Sequence, residues 1–268
     1  MGNSLIHKTA IIDERAVIGK NVAIGPYSVI GPEVVIGDDN VIENHVTIKG
    51  KTTIGHRNTI APYASIGLSA QDKAHRHEPT TVEIGDDNEI REYVSIHRGT
   101  FGGTGVTRVG NSNELFIGVH LAHDTCIGDH CMLANNTTLG GHVQVGSHVV
   151  TGGMSGFHQF CRIGDYAMLG GYSAAYQDVP PYMICTGTRA ALLGLNLVGL
   201  ERNGFTSEQI NEIQKIHKIF FESGLVPKKA IEILKQEVPA GPILDRFLDF
   251  ITTTKRGIIS KGKNGSPK

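Results

Sequence analysis

Residues 119–124 read VHLAHD, which sets two imidazoles, His120 and His123, three positions apart and a carboxylate, Asp124, directly after the second. Three kinds of chemistry use such groups. Neutral imidazoles can ligate a divalent metal; an imidazole steered by a carboxylate can take a proton near neutral pH; or the side chains are ordinary surface polar groups. Which one applies depends on how the surrounding chain positions them.

That chain is a repeat. Ile12, Ile18, Ile24, Ile30, Ile36, Ile42, Ile48, Ile54, Ile60 and Ile66 recur every six residues. The frame resumes at Ile84, Ile90 and Ile96, slips by one, and continues through Val109, Leu115, Leu121, Ile127, Leu133, Leu139 and Val145, then Ile163 and Leu169. Small or β-branched residues often stand two before the isoleucine (Ala16, Val22, Ser28, Val34), so each hexad makes a short strand with two inward side chains and then a corner. Three hexads close a triangular coil. Roughly nine coils stacked at ~4.8 Å would make a prism about 43 Å long, with the aliphatics in its interior. His142, nineteen residues after His123, then falls on the neighbouring coil. Glycine is abundant, 34 of 268 residues or about 13% against a usual ~7%. The glycines after the isoleucines (Gly19, Gly25, Gly37, Gly55), together with Asn40, Asn58, Asn113 and Asn136, are expected at corners that need unusual backbone angles.

Two insertions break the rhythm, and in a solenoid such insertions gather on a binding face. Residues 68–82 contain the basic group Lys73, His75, Arg76 and His77; residues 97–108 are glycine-rich, lack a P-loop lysine, and read as a flexible excursion. After Asp178-Val179-Pro180-Pro181 the hexads stop. Thr206 with Gln209 has the form of a capping box, and Ile210, Ile213, Ile216, Ile219 and Phe220 follow at helical spacing. VPKKAIEILKQEV and ILDRFLDFITTTKRG continue as helices. The expected organisation is a mainly β chain: a parallel β-helix over residues 1–190, then an α-helical C-terminal domain over 191–268 ending in a disordered tail, KGKNGSPK.

Lys+Arg 25 against Asp+Glu 26 leaves a net charge of -1, which argues against bulk attraction to nucleic acid or an anionic membrane surface. No apolar stretch approaches a membrane span, MGNSLIHKTA has no secretory signal or myristoylation pattern, and the four cysteines form no C-x-x-C pair. These features point to a reducing, cytoplasmic setting.

The strings EYVSIHRGT, HLAHD, LANN, GGHV, FHQF and QDVPPY, in this order on a hexad scaffold with a helical C-terminal domain, closely resemble the family of cytoplasmic UDP-N-acetylglucosamine acyltransferases that begin lipid A synthesis in Gram-negative bacteria. The resemblance runs over roughly residues 5–258 and implies a left-handed β-helix, against the usual crossover preference. It implies direct transfer of an (R)-3-hydroxyacyl group from acyl carrier protein to the sugar 3-hydroxyl, with His123 as general base, Asp124 orienting it, and the amide of Gly141 as oxyanion donor. It places the nucleotide sugar on Gln71, Asp72, His120, His142, Gln159, Asn196 and Arg202, and His158 in the acyl groove. Gly171 takes the position where bulk limits acyl length, so a glycine there suggests a long chain. No metal and no cofactor is implied, and the family is a homotrimer with sites between prisms. Arg202, Lys215 and Lys218 are a candidate patch for the acidic carrier protein. Lys73 stands one place early and Asn203 replaces a second arginine, so contacts there depart from the family pattern. The alternatives are another hexapeptide-repeat acyltransferase or a β-helix resembling the zinc carbonic anhydrases. Those anhydrases share a His-x-x-x-x-His pair with an upstream histidine, a spacing absent here.

Overall fold

The computed structural model describes residues 5–260 apart from His75 and His77. The tail at 261–268 and those two histidines of the basic cluster lie outside the described residues.

Each hexad gives one short strand, and every third strand pairs in parallel with its equivalent one coil away. Three sheets result, here called faces. Face one runs in nine strands from Ile11–Ile12 to Ala174–Ala175, and face two in eight from Val17–Ile18 to Arg162–Ile163. Face three runs in ten, from Ala23–Ile24 to a closing antiparallel strand, Ala191–Leu195, paired with Met183–Thr186. The register is that of an eighteen-residue coil, as in Ile12↔Ile30 and Leu121↔Leu139, and widens to thirty across the first insertion, where Ile54 pairs with Ile84.

The isoleucine ladder fills the interior. From Ile24 to Ile66 each is at most 1% exposed, and the later aliphatics continue it with Thr151 and Phe157 filling the two places between Val145 and Ile163. Each such burial contributes about 1.5–3 kcal/mol relative to exposure. Ile12 and Ile18, at the first coil, have a neighbouring coil on only one side and are half-buried.

The corners differ from the sequence expectation. Gly19, Gly25, Gly37 and Gly55 do not adopt positive φ; the left-handed residues stand two further on, at Asn21, Tyr27, Asp39 and Arg57. The glycines answer a steric demand instead, since a Cβ on Gly25 would lie 2.7 Å from the backbone of Glu43 on the next coil. Of the four asparagines, Asn136 is left-handed, whereas Asn40, Asn58 and Asn113 are fully buried. They form a ladder with Asn88: the Oδ1 of Asn40 accepts from Nδ2 of Asn58 at 3.0 Å, Asn58 from Asn88 at 2.9 Å, and Asn88 from Asn113 at 3.0 Å. An amide inside the corner satisfies carbonyls that the turn leaves unpaired, and a coil spacing near the strand spacing lets the amides bond each other. Left-handed corner residues in turn stack their side chains along the edges, as in Tyr63 on Tyr93 with centroids 5.1 Å apart.

The helices are α1 (Leu197–Arg202), α2 (Ser207–His217), α3 (Pro227–Glu237) and α4 (Pro242–Thr252). Thr206 and Gln209 make the expected reciprocal capping box. The helical run past His217 widens into a π turn, Lys218–Glu222, which brings Phe220 and Phe221 to 5.3 and 6.1 Å from Phe247. Beyond α4 the chain returns to the prism: Thr254 donates to the buried Asp178 carboxylate at 2.7 Å, and Ile259 N–H to its carbonyl at 3.0 Å. Among the described residues no helix is long and apolar enough to cross a membrane.

Candidate active site

Both insertions leave the prism at the edge between faces one and two. His123 and Asp124 turn the same edge after the strand His120–Leu121, and the strings GGHV and FHQF turn it one and two coils later. The eighteen-residue coil thus aligns Asp124, His142 and Phe160, all left-handed at φ of 60, 62 and 65°. Their backbones are rungs: His142 N–H donates to His123 O and Phe160 N–H to Gly141 O, each at 3.0 Å.

The geometry is that of an oriented base. Nδ1 of His123 is 2.9 Å from Oδ2 of Asp124, whose side chain is 0% exposed. A carboxylate can only accept, so Nδ1 bears the proton and Nε2 keeps its lone pair. Asp124 also accepts from Thr100 N–H at 3.0 Å, Thr100 Oγ1 at 2.7 Å and Gly105 N–H at 3.0 Å, and from a Thr104 hydroxyl 3.1 Å away that also reaches Val106 O at 2.9 Å. Burial pushes this carboxyl up, but the hydrogen bonds from Thr100, His123 and Thr104 outweigh it and hold it below its ordinary value. It is therefore anionic at neutral pH.

The second insertion, expected to be a flexible excursion, is what builds this cradle. Its glycines let the backbone fold inward rather than wander: a Cβ on Gly103 would collide with the Asp124 carboxylate. Sequence reasoning missed Thr100, Thr104 and Gly105, and the pattern of two threonines flanking glycines was the available signal.

Gly141 is buried beside His123, and its N–H makes no hydrogen bond among the described residues. At the neighbouring edge the equivalent amides are met by side chains of the next coil, as Lys20 N–H is by Asp38 Oδ1 at 2.7 Å. The ring of His142 meets His123 edge-on at 5.0 Å and stacks on Phe160 at 4.4 Å. Burial biases His142 towards its neutral form, with Asp124 pulling the other way, and burial beside His97 does the same to His120. Both imidazoles therefore offer hydrogen bonds rather than full charge at neutral pH. His120 Nδ1 is 2.8 Å from Ser95 Oγ. His97, also missed, holds the start of the first insertion through Ser69 O at 2.7 Å.

Gln71 and Asp72 sit in that first insertion, and the Asp72 charge acts on His142. Lys73 and Ala74 follow as a turn, with Ala74 N–H donating to Asp72 Oδ1 at 2.9 Å. Gln159 is exposed beside His158, whose Nδ1 is 3.1 Å from Nη2 of Arg256, a contact across 98 residues that no local pattern announces. The same Nδ1 also lies 3.1 Å from Gln159 O, so a donor and an acceptor both stand within reach of it.

The remaining candidates lie elsewhere on the prism. Gly171 is at the edge between faces three and one and is exposed; a Cβ added there would have Gly153 O as its nearest neighbour, at 3.5 Å. Asn196 caps α1, accepting from Gly199 N–H at 3.2 Å and donating to Tyr166 O at 2.9 Å, near the edge between faces two and three. Arg202 is exposed in the last turn of α1, and Asn203 caps that helix through Gly199 O at 2.8 Å. Among the described residues, none of Gly171, Asn196 and Arg202 shares a hydrogen bond or ion pair with the His123 group.

His123, Asp124 and His142 also bring possible ligand atoms within 4.8 Å of one another, as a metal site would. The Asp124 oxygens are already filled by hydrogen bonds, and Nδ1 of His123 faces them. What remains, Nε2 of His123 and the His142 ring, falls short of the three protein ligands of a catalytic zinc site.

A prism of hexads with an oriented imidazole on one edge is the architecture of an acyltransferase rather than of a passive scaffold. Residues 15–50 match the bacterial transferase hexapeptide family (six repeats), and residues 178–259 match domain 2 of the UDP N-acetylglucosamine O-acyltransferases. An acyl-[acyl-carrier-protein]–UDP-N-acetylglucosamine O-acyltransferase of a Janthinobacterium species is 46% identical over 75% of this chain and 78% of its own. The UDP-N-acetylglucosamine O-acyltransferase of Moraxella catarrhalis superposes at a TM-score of 0.93 with 42% identity, over 96% of this chain and all of that one. The Bacteroides fragilis UDP-N-acetylglucosamine acyltransferase does so at 0.92 with 42% identity, covering 94% and 99%. The chain belongs to the UDP-N-acetylglucosamine O-acyltransferase family, and its β-helix is left-handed.

Proposed function

We propose that this chain catalyses the first step of lipid A synthesis in the cytoplasm, moving an (R)-3-hydroxyacyl group from acyl carrier protein to the 3-hydroxyl of UDP-N-acetylglucosamine. The observation behind it is the 2.9 Å pairing of His123 with the buried, anionic Asp124, which leaves Nε2 free to take a proton. Nε2 removes the hydroxyl proton as the sugar oxygen attacks the thioester carbon. The negative charge on the carbonyl oxygen is received by the N–H of Gly141. Collapse breaks the carbon–sulfur bond, and the departing thiolate of the carrier protein takes the proton from His123 and leaves as the thiol. No acyl-enzyme is needed.

Gln71, Asp72, His142 and Gln159 share an edge, His120 stands on the strand of face one that leads into it, and all five are assigned to the nucleotide sugar, with His158 beside the acyl chain. Gly171 belongs to another edge of the prism, while Asn196 caps α1 and Arg202 stands in its last turn. For them to serve this site, a neighbouring copy must present them, which supports a homotrimer with sites between prisms. The candidate carrier-protein patch, Arg202, Lys215 and Lys218, is exposed, and Lys215 also donates to Glu237 O at 2.6 Å. The cysteines Cys126, Cys131, Cys161 and Cys185 are all free thiols, which suits a reducing compartment.

The test is transfer from 3-hydroxymyristoyl acyl carrier protein to UDP-N-acetylglucosamine by wild type, chelator-treated wild type and folded His123→Ala. Transfer that survives chelation and falls by ~10² or more in the mutant supports the general base. Loss on chelation would point instead to the His123, Asp124 and His142 ligand set, and no transfer with any donor would widen the search to other activities of the superfamily.

A further inference from the structure

Thr100 is 5% exposed, and among the described residues its hydroxyl has a single partner, Oδ2 of Asp124 at 2.7 Å, the same oxygen that holds His123 at 2.9 Å. Its backbone N–H reaches that oxygen as well, at 3.0 Å. Outside this lining the insertion faces solvent, with Phe101 76% exposed. Within it, Gly103 lies against the carboxylate where any Cβ would collide, and Gly105, at φ +76°, turns its N–H onto Oδ1 at 3.0 Å. A loop without function would not need a buried hydroxyl, an inward glycine and a left-handed glycine all aimed at one carboxylate.

We infer that residues 98–105 form a closed cap on Asp124 and that Thr100 is a positioning residue for the reaction, setting how strongly Oδ2 holds and orients the His123 imidazole. Three donors, the Thr100 hydroxyl, the Thr100 N–H and His123 Nδ1, compete for one oxygen. The hydroxyl of Thr100 draws off part of the negative charge, so that Asp124 fixes the ring without holding its protonated form too tightly. Removing the hydroxyl while keeping the side-chain shape leaves Oδ2 with more charge for the imidazole. The protonated ring then gains stability, and more alkaline conditions are needed to free Nε2.

This rests on His123 acting as the base, and the test separates the two claims. Thr100→Val, Thr100→Ser and Gly103→Ala are compared with wild type, alone and in a His123→Ala background, with folding checked by circular dichroism and thermal melting. Thr100→Val is expected to lower kcat about tenfold, leave KM for the nucleotide sugar unchanged, and move the acid limb of the kcat/KM profile to higher pH. Thr100→Ser should restore the wild-type profile. In the His123→Ala background the Thr100→Val effect should vanish, because its route through the imidazole is gone. Gly103→Ala should reproduce the kcat loss by prising the cap from the carboxylate, which keeps the inference testable should Thr100→Val misfold. A folded Thr100→Val enzyme with wild-type kcat and pH profile overturns the cap inference alone. Full activity in His123→Ala overturns the base itself.

Discussion

A Cβ atom on Gly141 would stand 2.6 Å from both Cε1 and Nε2 of His123. The absence of a side chain at one corner is what lets the imidazole occupy the corner of the coil before it. Gly141→Ala is therefore expected to displace the ring and to lower kcat by ~10² or more, since a misplacement of about 1 Å can cost that much. Steady-state kinetics on the folded variant would show it; near-normal kcat would mean that the ring works from another position.

The pH behaviour of the nucleotide site follows from the neutral bias of His120 and His142. A histidine whose pKa is lowered is mostly uncharged above its ordinary value, so it has little charge to lose as pH rises. The KM for UDP-N-acetylglucosamine is expected to stay flat between about pH 6.5 and about pH 8. A steady rise in KM over that range would show imidazolium charge on the diphosphate instead.

Asp124 adds a second pH prediction. Its carboxyl lies below its ordinary value, well clear of histidine titration, so it remains anionic throughout. The acid limb of kcat/KM should then fall with a slope of one, from a single protonation at His123. A slope of two would bring another essential group into the site.

The asparagine ladder carries a stability prediction. Asn58→Ala removes the side-chain acceptor of Asn88 N–H (2.9 Å) and the side-chain donor to Gly85 O (3.0 Å) in a fully buried corner, and should cost about 2–4 kcal/mol in denaturant unfolding, at roughly 1–3 kcal/mol for each buried group left unpaired. Lys51→Ala, on an exposed strand position, should stay within about 0.5 kcal/mol. Equal effects from the two would mean that the ladder adds nothing beyond surface chemistry.

At Gly171 there is room for a side chain, so substitution tests specificity without threatening the fold. Gly171→Met should leave thermal stability unchanged and shift donor preference from long to short 3-hydroxyacyl chains, measured as the ratio of kcat/KM values. An unchanged ratio would remove Gly171 from the acyl site.

Much of this architecture was legible in the chain itself. Ten isoleucines six apart fit one short strand and one corner per hexad, so the prism and its eighteen-residue coil could be read from spacing, with only Ile12 and Ile18 of the ten left half-buried at the first coil. The same spacing put His142 on the coil after His123, and the motif strings pointed to the family. Pairing His123 with Asp124 was also open to sequence, because adjacency at a corner is local. The cap was not: Thr100 and Asp124 are separated by 24 residues, and a stretch rich in glycine has the same composition whether it wanders or folds onto a carboxylate. Nor could the reach of Arg256 to His158, the inward asparagines, or the steric duty of the hexad glycines be read, since each depends on how closely one coil approaches the next. Periodicity determines which residues share an edge; which donors meet on it is decided only when insertions and the returning C-terminal segment close in three dimensions, where distance along the chain no longer measures distance in space.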